Sequence, residues 1–248
     1  MDLSAIKVIA ADVDGTLTEG VSFLLDIDAI KALRDLERHG LKVILVSGNS
    51  RPVTLTLKRY LGTSAPVVFE NGCGYGDFTW EETVPDKSSC LVAREAADTL
   101  LKVLSVKGWR PSWQNPWRKC DFAINAPEGK TSEEDAKKAY KILEELGYLK
   151  QGLAVLVSRH AVHIMPKDCG KGKGVKRVVE KMGYDMSEVL AVGDAENDLE
   201  MIKMAGVGVA VADAQEVLKR EADIVAPEPA GKGFAWIAKK VLEAKRSS

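Results

Sequence analysis

The chain has 248 residues, 46% hydrophobic and 29% charged, which excludes disorder and suits one large domain carrying a smaller insertion. With 35 basic against 36 acidic side chains its formal net charge is -1, so no overall field draws nucleic acid or anionic lipid, and an anionic ligand must be attracted by local groups. Cys73, Cys90, Cys120 and Cys169 lie far apart, at neither zinc-ligand nor redox-motif spacing, which reads as isolated thiols in a reducing, cytoplasmic setting.

Ala5 to Val13 is apolar but short and carries Lys7, so it is neither a signal peptide nor a membrane span. Within it, the run from Lys7 to Val13 predicts a buried strand that delivers Asp12 to a loop at Gly15. Ile27, Ile30, Leu33 and Leu36 have helical spacing up to His39, Gly40 supplies the stop, and Leu41 to Val46 is a second buried strand. Ser50 is placed to cap a helix with Arg51 and Pro52 in its first turn, running to about Leu61 before a strand at Val67 to Phe69.

Beyond Pro85 the pattern changes. An amphipathic stretch from Leu91 to Val106 leads into the aromatic, strand-like Trp109 to Asn125; a helix from Ser132 to Leu146 precedes strands at Leu153 to Val157 and Ala161 to Met165, with Arg159-His160 as their turn. Trp109, Trp113 and Trp117 recur every fourth residue, but Pro111 and Pro116 break any helix, and packing is the expectation.

From Gly172 the alternation resumes: helix Val175 to Met182, strand Val189 to Val192, helix Leu199 to Ala205, strand Val207 to Val211, and a closing helix from Phe234 to Leu242 that frays into Lys245-Arg246-Ser247-Ser248. Such alternation specifies an α/β fold, a doubly wound, Rossmann-like, mostly parallel sheet. The predicted division is a core of residues 1–82 and 167–248, with 83–166 inserted as an α+β cap and Pro85 and Pro166 at the hinges.

Asp12 and Asp14 are two residues apart at the mouth of the first strand, so an extended backbone would turn both carboxylates to one side. At ~4 Å two such charges repel by about 4 kcal/mol at an effective dielectric near 20, which requires a cation, a shared proton or strong donors. Asp194 and Asp198, four apart where another strand opens a helix, can face one object. With no His or Cys in either cluster, a hard cation such as Mg²⁺ is the expected occupant.

Asp12-Val13-Asp14-Gly15-Thr16 resembles the first signature of the haloacid dehalogenase-like hydrolase superfamily, and Gly193-Asp194-Ala195-Glu196-Asn197-Asp198 its last. The resemblance implies a nucleophile at Asp12, an acid/base at Asp14, and Mg²⁺ held by Asp12, the Asp14 carbonyl, Asp194 and Asp198, the last directly or through water. Ser47-Gly48-Asn49, at the end of the second strand, matches the position of the phosphate-gripping signature, though many members carry Arg where Asn49 stands. Lys171 rather than Lys173 aligns with the signature lysine, and Asn197 is assigned to substrate contact or loop positioning. Two phosphate charges and four aspartates against one Mg²⁺ and one lysine leave a surplus that implies a protonated Asp14 in the first step.

The insertion is similar to the cap of the Cof-type subgroup, which closes over the site and sets specificity. Arg118, Lys119, Arg159 and His160 are its candidate contacts for an anionic substrate. Ser47-Gly48-Asn49, Glu70-Asn71-Gly72 and the compact cap together resemble the archaeal phosphoglycolate phosphatases, which implies hydrolysis of 2-phosphoglycolate. Sugar-phosphate or mannosyl-phosphoglycerate phosphatases and phosphomutases share the same aspartates. The expected partner is a small phosphorylated metabolite, with neither nucleic acid nor membrane, and a homodimer is compatible with this reading.

Overall fold

The computed structural model describes residues 2–20, 22–127, 131–158 and 161–247. In chain order the core comprises β1 (Val8–Asp12), α1 (Ile27–Arg38), β2 (Lys42–Val46), α2 (Arg51–Leu61), β3 (Val67–Phe69), β4 (Gly74–Gly76) and β5 (Glu81–Thr83). The insertion follows with α3 (Lys87–Leu104), β6 (Arg110–Pro111), β7 (Phe122–Asn125), α4 (Glu133–Glu145), β8 (Leu153–Val157) and β9 (Ala161–Pro166). The core is completed by α5 (Lys171–Lys181), β10 (Val189–Gly193), α6 (Leu199–Met204), β11 (Val207–Ala210), α7 (Glu216–Glu221), β12 (Ile224–Val225) and α8 (Ala230–Ser247).

The core sheet has the order β12-β11-β10-β1-β2-β3-β4-β5; its first six strands are parallel and the last two pair antiparallel. β1 lies between β10 and β2 and is buried along its whole length, which is why it reads as an unbroken apolar run. Parallel register sends the carboxyl ends of β1, β2 and β10 to one edge, where ligands bind in open sheets of this kind. α1 starts at Asp26, whose carboxylate accepts from the N–H groups of Asp28 and Ala29. It buries Ala29, Leu33 and Leu36 but leaves Ile27 77% exposed, because Ile27 stands at the first turn, off the face that packs on α8.

The insertion is an antiparallel sheet of order β6-β7-β9-β8. Period-two alternation divides its faces: Phe122, Ile124, Val162 and Ile164 pack with Leu100, Leu104 and Leu143 of α3 and α4 in a separate hydrophobic core. Ala123, Asn125, Ala161 and His163, on the opposite face, line a cavity over the core sheet's carboxyl edge. The insertion is therefore a cap built as half of a sandwich, with its polar face turned to the core.

Several expectations change. The cysteines are paired, Cys73 with Cys169 and Cys90 with Cys120, across sequence separations of 96 and 30 that carry no spacing signal. Both bridges sit with Met165 in one cluster, so the four cysteines are not the isolated thiols from which a reducing compartment was read. Trp109 is buried, but Trp113 and Trp117 are 65% and 53% exposed and pack edge to face on each other, since the turn at Asn115–Trp117 carries them out of the cap core. α8 continues through Ser247 instead of fraying, with the Lys245 ammonium donating to the Ser4 carbonyl. Arg159 and His160 lie outside the described residues. No helix of the described chain is long and apolar enough to cross a membrane.

Candidate active site

Asp12 is the last residue of β1 and is 4% exposed; Asp194 follows β10, and Asp198 ends the short turn that leads into α6. One oxygen from each of these three carboxylates lies within 4.8 Å of the others. Lys171, the first residue of α5, donates to Asp12 Oδ1 at 2.6 Å and Asp198 Oδ1 at 2.7 Å. Asp198 Oδ2 also accepts from the N–H groups of Asp194 and Ala195, so the turn fixes it. Gly15 makes the close approach workable: at φ +96° it takes a conformation unfavourable to side chains, and a Cβ there would fall 2.3 Å from Asp194 Oδ2.

Three carboxylates against one ammonium leave a buried excess of negative charge. Burial, and then Asp198, push the Asp12 carboxyl well above its usual range despite the pull of Lys171. Burial works against the Lys171 ammonium, yet Asp12 and Asp198 hold its pKa above the ordinary value. An all-oxygen donor set short of positive charge fits a hard divalent cation, and Asp12, Asp194 and Asp198 could hold one.

Asp14 does not share the buried side of Asp12, because β1 ends at Asp12 and the chain turns; Asp14 is exposed. Its Oδ2 accepts from Asn49 Nδ2 at 2.8 Å. The buried Ser47 Oγ accepts from the backbone N–H of Asn49 and from Asn49 Nδ2, so this one amide ties the second loop to Asp14. Ser50 occupies the N-cap of α2 without a side-chain cap; its backbone N–H donates instead to Oε1 of Gln114 from the cap at 2.7 Å. Nε2 of the same Gln114 donates to Asn49 Oδ1, also at 2.7 Å. The cap is thereby hydrogen-bonded to the residue that holds Asp14.

A second bridge starts at Glu70 and Asn71, which have φ values of +52° and +51° ahead of Gly72. Such strain persists only where surroundings enforce it. Here the Glu70 carboxylate accepts from the N–H groups of Lys119, Cys120 and Asp121, and Asn71 Nδ2 donates to Asp121 Oδ2 at 3.0 Å. Asn197 Nδ2 donates to Asn71 Oδ1, which connects the last acidic loop to the same network. Asp121, fully buried, also meets His163 Nδ1 at 2.9 Å and Arg118 Nη1 at 3.0 Å. Burial opposes its charge, but His163 and Arg118 hold its carboxyl below the ordinary value.

These groups enclose a cavity of about 520 Å³ with Asp12, Asp14, Lys171 and Asp194 at its floor and cap residues above. Of the core residues assigned a catalytic, phosphate-binding or metal role, all except Ser47 and Asp198 line it, and those two are bonded to residues that do. Of the cap candidates, Arg118 lines the cavity, whereas Lys119 is exposed and paired with Glu81. Gln114, Asp121 and His163 were not singled out in the sequence; of the three, only His163, a lone polar residue in the otherwise apolar β9, carries a local signal.

A family model described as haloacid dehalogenase-like hydrolase matches residues 9–109 and 112–237. A phosphoglycolate phosphatase of Staphylothermus marinus is 38% identical over 247 residues, covering 96% of this chain and 98% of that protein. Another, from Metallosphaera sedula, is 40% identical with coverages of 92% and 95%. Among solved structures, Thermoplasma acidophilum 0175 superposes with a TM-score of 0.79 at 27% identity, covering 96% of this chain and 98% of that one.

Proposed function

The chain belongs to the haloacid dehalogenase-like hydrolase family, and from that membership we propose that it is a Mg²⁺-dependent phosphomonoester phosphatase working through an aspartyl-phosphate on Asp12. The observation that carries this reading is the buried arrangement of Asp12, Lys171 and Asp198, with Asp194 completing an oxygen donor set at the floor of the cavity. Asp12 attacks phosphorus, forming an acyl phosphate while the bond to the leaving oxygen breaks. Asp14 supplies that oxygen's proton and then takes one from the water that hydrolyses the intermediate, so one side chain serves both half-reactions. Lys171 keeps Asp12 oriented and lowers the cost of bringing a dianion beside it. The N–H groups and hydroxyl of Ser47, Gly48 and Asn49 grip the phosphate oxygens, and Asn197 positions the last loop. When bound by Asp12, Asp194, Asp198 and the Asp14 carbonyl, Mg²⁺ supplies charge neutralisation for the transferring phosphoryl group.

The proposed substrate is 2-phosphoglycolate, released as glycolate and inorganic phosphate. Its support is the name carried by both relatives above, each similar over more than nine-tenths of its length. A cavity of about 520 Å³ also admits a sugar phosphate, which is the second reading. We further propose residues 83–166 as the specificity-setting cap. Asp12→Asn and Asp194→Asn test the chemistry: each should lose turnover of a generic phosphomonoester, and parent-like rates in either would sink the assignment. A panel of phosphorylated metabolites compared by kcat/KM with Mg²⁺ tests the substrate, a ten-fold preference corresponding to about 1.4 kcal/mol.

A further inference from the structure

Lys171 and Arg118 are the only lysine or arginine side chains among the described residues that line the cavity. Lys171 is committed to Asp12 and Asp198 at the floor. Arg118 belongs to the cap, is 4% exposed, and places Nη1 on the carboxylate and the carbonyl of Asp121. Its buried Nε finds no hydrogen-bond partner among the described residues. A buried donor left unsatisfied costs about 1–3 kcal/mol, so the group is met in the native protein by a water, an ion or a ligand acceptor.

We propose that Arg118 is the specificity residue for a carboxylate carried by the substrate at the end remote from the phosphate; this rests on the phosphatase reading above. Arginine presents donors in a planar fork that matches a carboxylate, and Asp121 fixes that fork by holding one arm. Asp121 is in turn held by His163 and Asn71, while His163 Nε2 meets Ser158 Oγ at 3.2 Å, so the arginine stands on a cross-linked base. The charge count selects the ligand. Asp121 already offsets the Arg118 charge and Glu70 lies close by, so a second phosphate dianion would be repelled more strongly than a carboxylate monoanion held by the free donors of the fork. Asn125 and Ser158 line the same part of the cavity and add neutral polar groups. The substrate class is then a short phosphorylated hydroxy acid, bound by its phosphate at the core and by its carboxylate at the cap.

The test compares kcat/KM for 2-phosphoglycolate and for ethyl phosphate, which carries a methyl group in place of the carboxylate. Parent, Arg118→Met and Arg118→Lys enzymes are each assayed on both. The readout is the ratio of the two values, so a variant that folds less completely loses both alike and leaves the ratio unmoved. A charge-assisted hydrogen bond predicts that Arg118→Met lowers the ratio by about 10- to 100-fold. Arg118→Lys, which keeps the charge without the fork, should lower it by less. A ratio within about three-fold of parent in both variants overturns the proposal and leaves the phosphatase reading intact. A parent enzyme without preference for 2-phosphoglycolate overturns the substrate reading itself, and the role of Arg118 with it.

Discussion

Replacing Gln114 by alanine removes the one cap side chain among the described residues that grips both Asn49 and Ser50. Two neutral hydrogen bonds are worth about 0.5–1.5 kcal/mol each, so the docked cap should lose about 1–3 kcal/mol relative to an undocked one. The kinetic consequence follows from the amide's two ends. Gln114 Nε2 holds Asn49 Oδ1, which turns Asn49 Nδ2 towards Asp14 and Ser47. Without that contact the amide can rotate, and Asp14 loses a fixed donor. We expect kcat to fall by about 10-fold, the equivalent of about 1.4 kcal/mol. Gln114→Glu should be no better than alanine, because a carboxylate cannot donate to Asn49 Oδ1 and would draw Asn49 Nδ2 away from Asp14. The assay is a double-mutant cycle on kcat with Gln114→Ala, Asn49→Ala and the pair. If Gln114 acts through Asn49, the double variant is about as slow as Asn49→Ala alone. Effects that multiply to within about two-fold would refute the relay, because they would mean the two residues act separately.

Other expectations concern the cation, the bridges and acid. Mg²⁺ at about a hundred-fold excess over its Kd should stabilise metal-free protein by about 2.7 kcal/mol, or about 5–10 °C in Tm, and Asp194→Asn should erase the shift; equal shifts in both proteins would show that the cation binds elsewhere. Reducing the Cys73–Cys169 bridge, which closes a loop of 96 residues, should cost about 4–5 kcal/mol by chain entropy, and an unchanged Tm in reductant would contradict it. Asp121 has a folded-state pKa below its unfolded value, so the stability it adds is present above about pH 4 and is lost as pH falls through the lower folded value. Urea melts between pH 2 and 6 should therefore show a shallower acid loss for Asp121→Asn than for parent, and parallel curves would remove Asp121 from that role.

The parallel core was legible because buried parallel strands are continuous apolar runs; β1 ends in Asp12, and Ser47 and Asp194 directly follow β2 and β10, so the topology must deliver all three to one edge. Asp12, Lys171, Asp194 and Asp198 are separated by up to 186 residues, yet each lies beside a strand or helix boundary that sequence patterning marks. Asp12 and Asp14 line one cavity, but the extended-strand alternation that would align them holds only while the strand lasts, and β1 ends at Asp12, two residues before Asp14. The cap contacts had no comparable signature. Gln114 sits in an irregular turn, and its partner Asn49 is 65 residues away. Glu70 and Asn71 stood out only by resemblance, since no sequence pattern signals the left-handed backbone that turns them to the cap.

The sequence by itself determined the alternating core and the strand ends where acid collects, because burial periodicity and turn chemistry are local properties of the chain. Tertiary structure alone decided which cysteines meet, that Gln114 and Asp121 reach the core loops, and that Arg118 is a buried cavity residue rather than a solvated one. Those depend on how a half-sandwich docks over a sheet edge, a packing of two separate hydrophobic cores that no local pattern encodes.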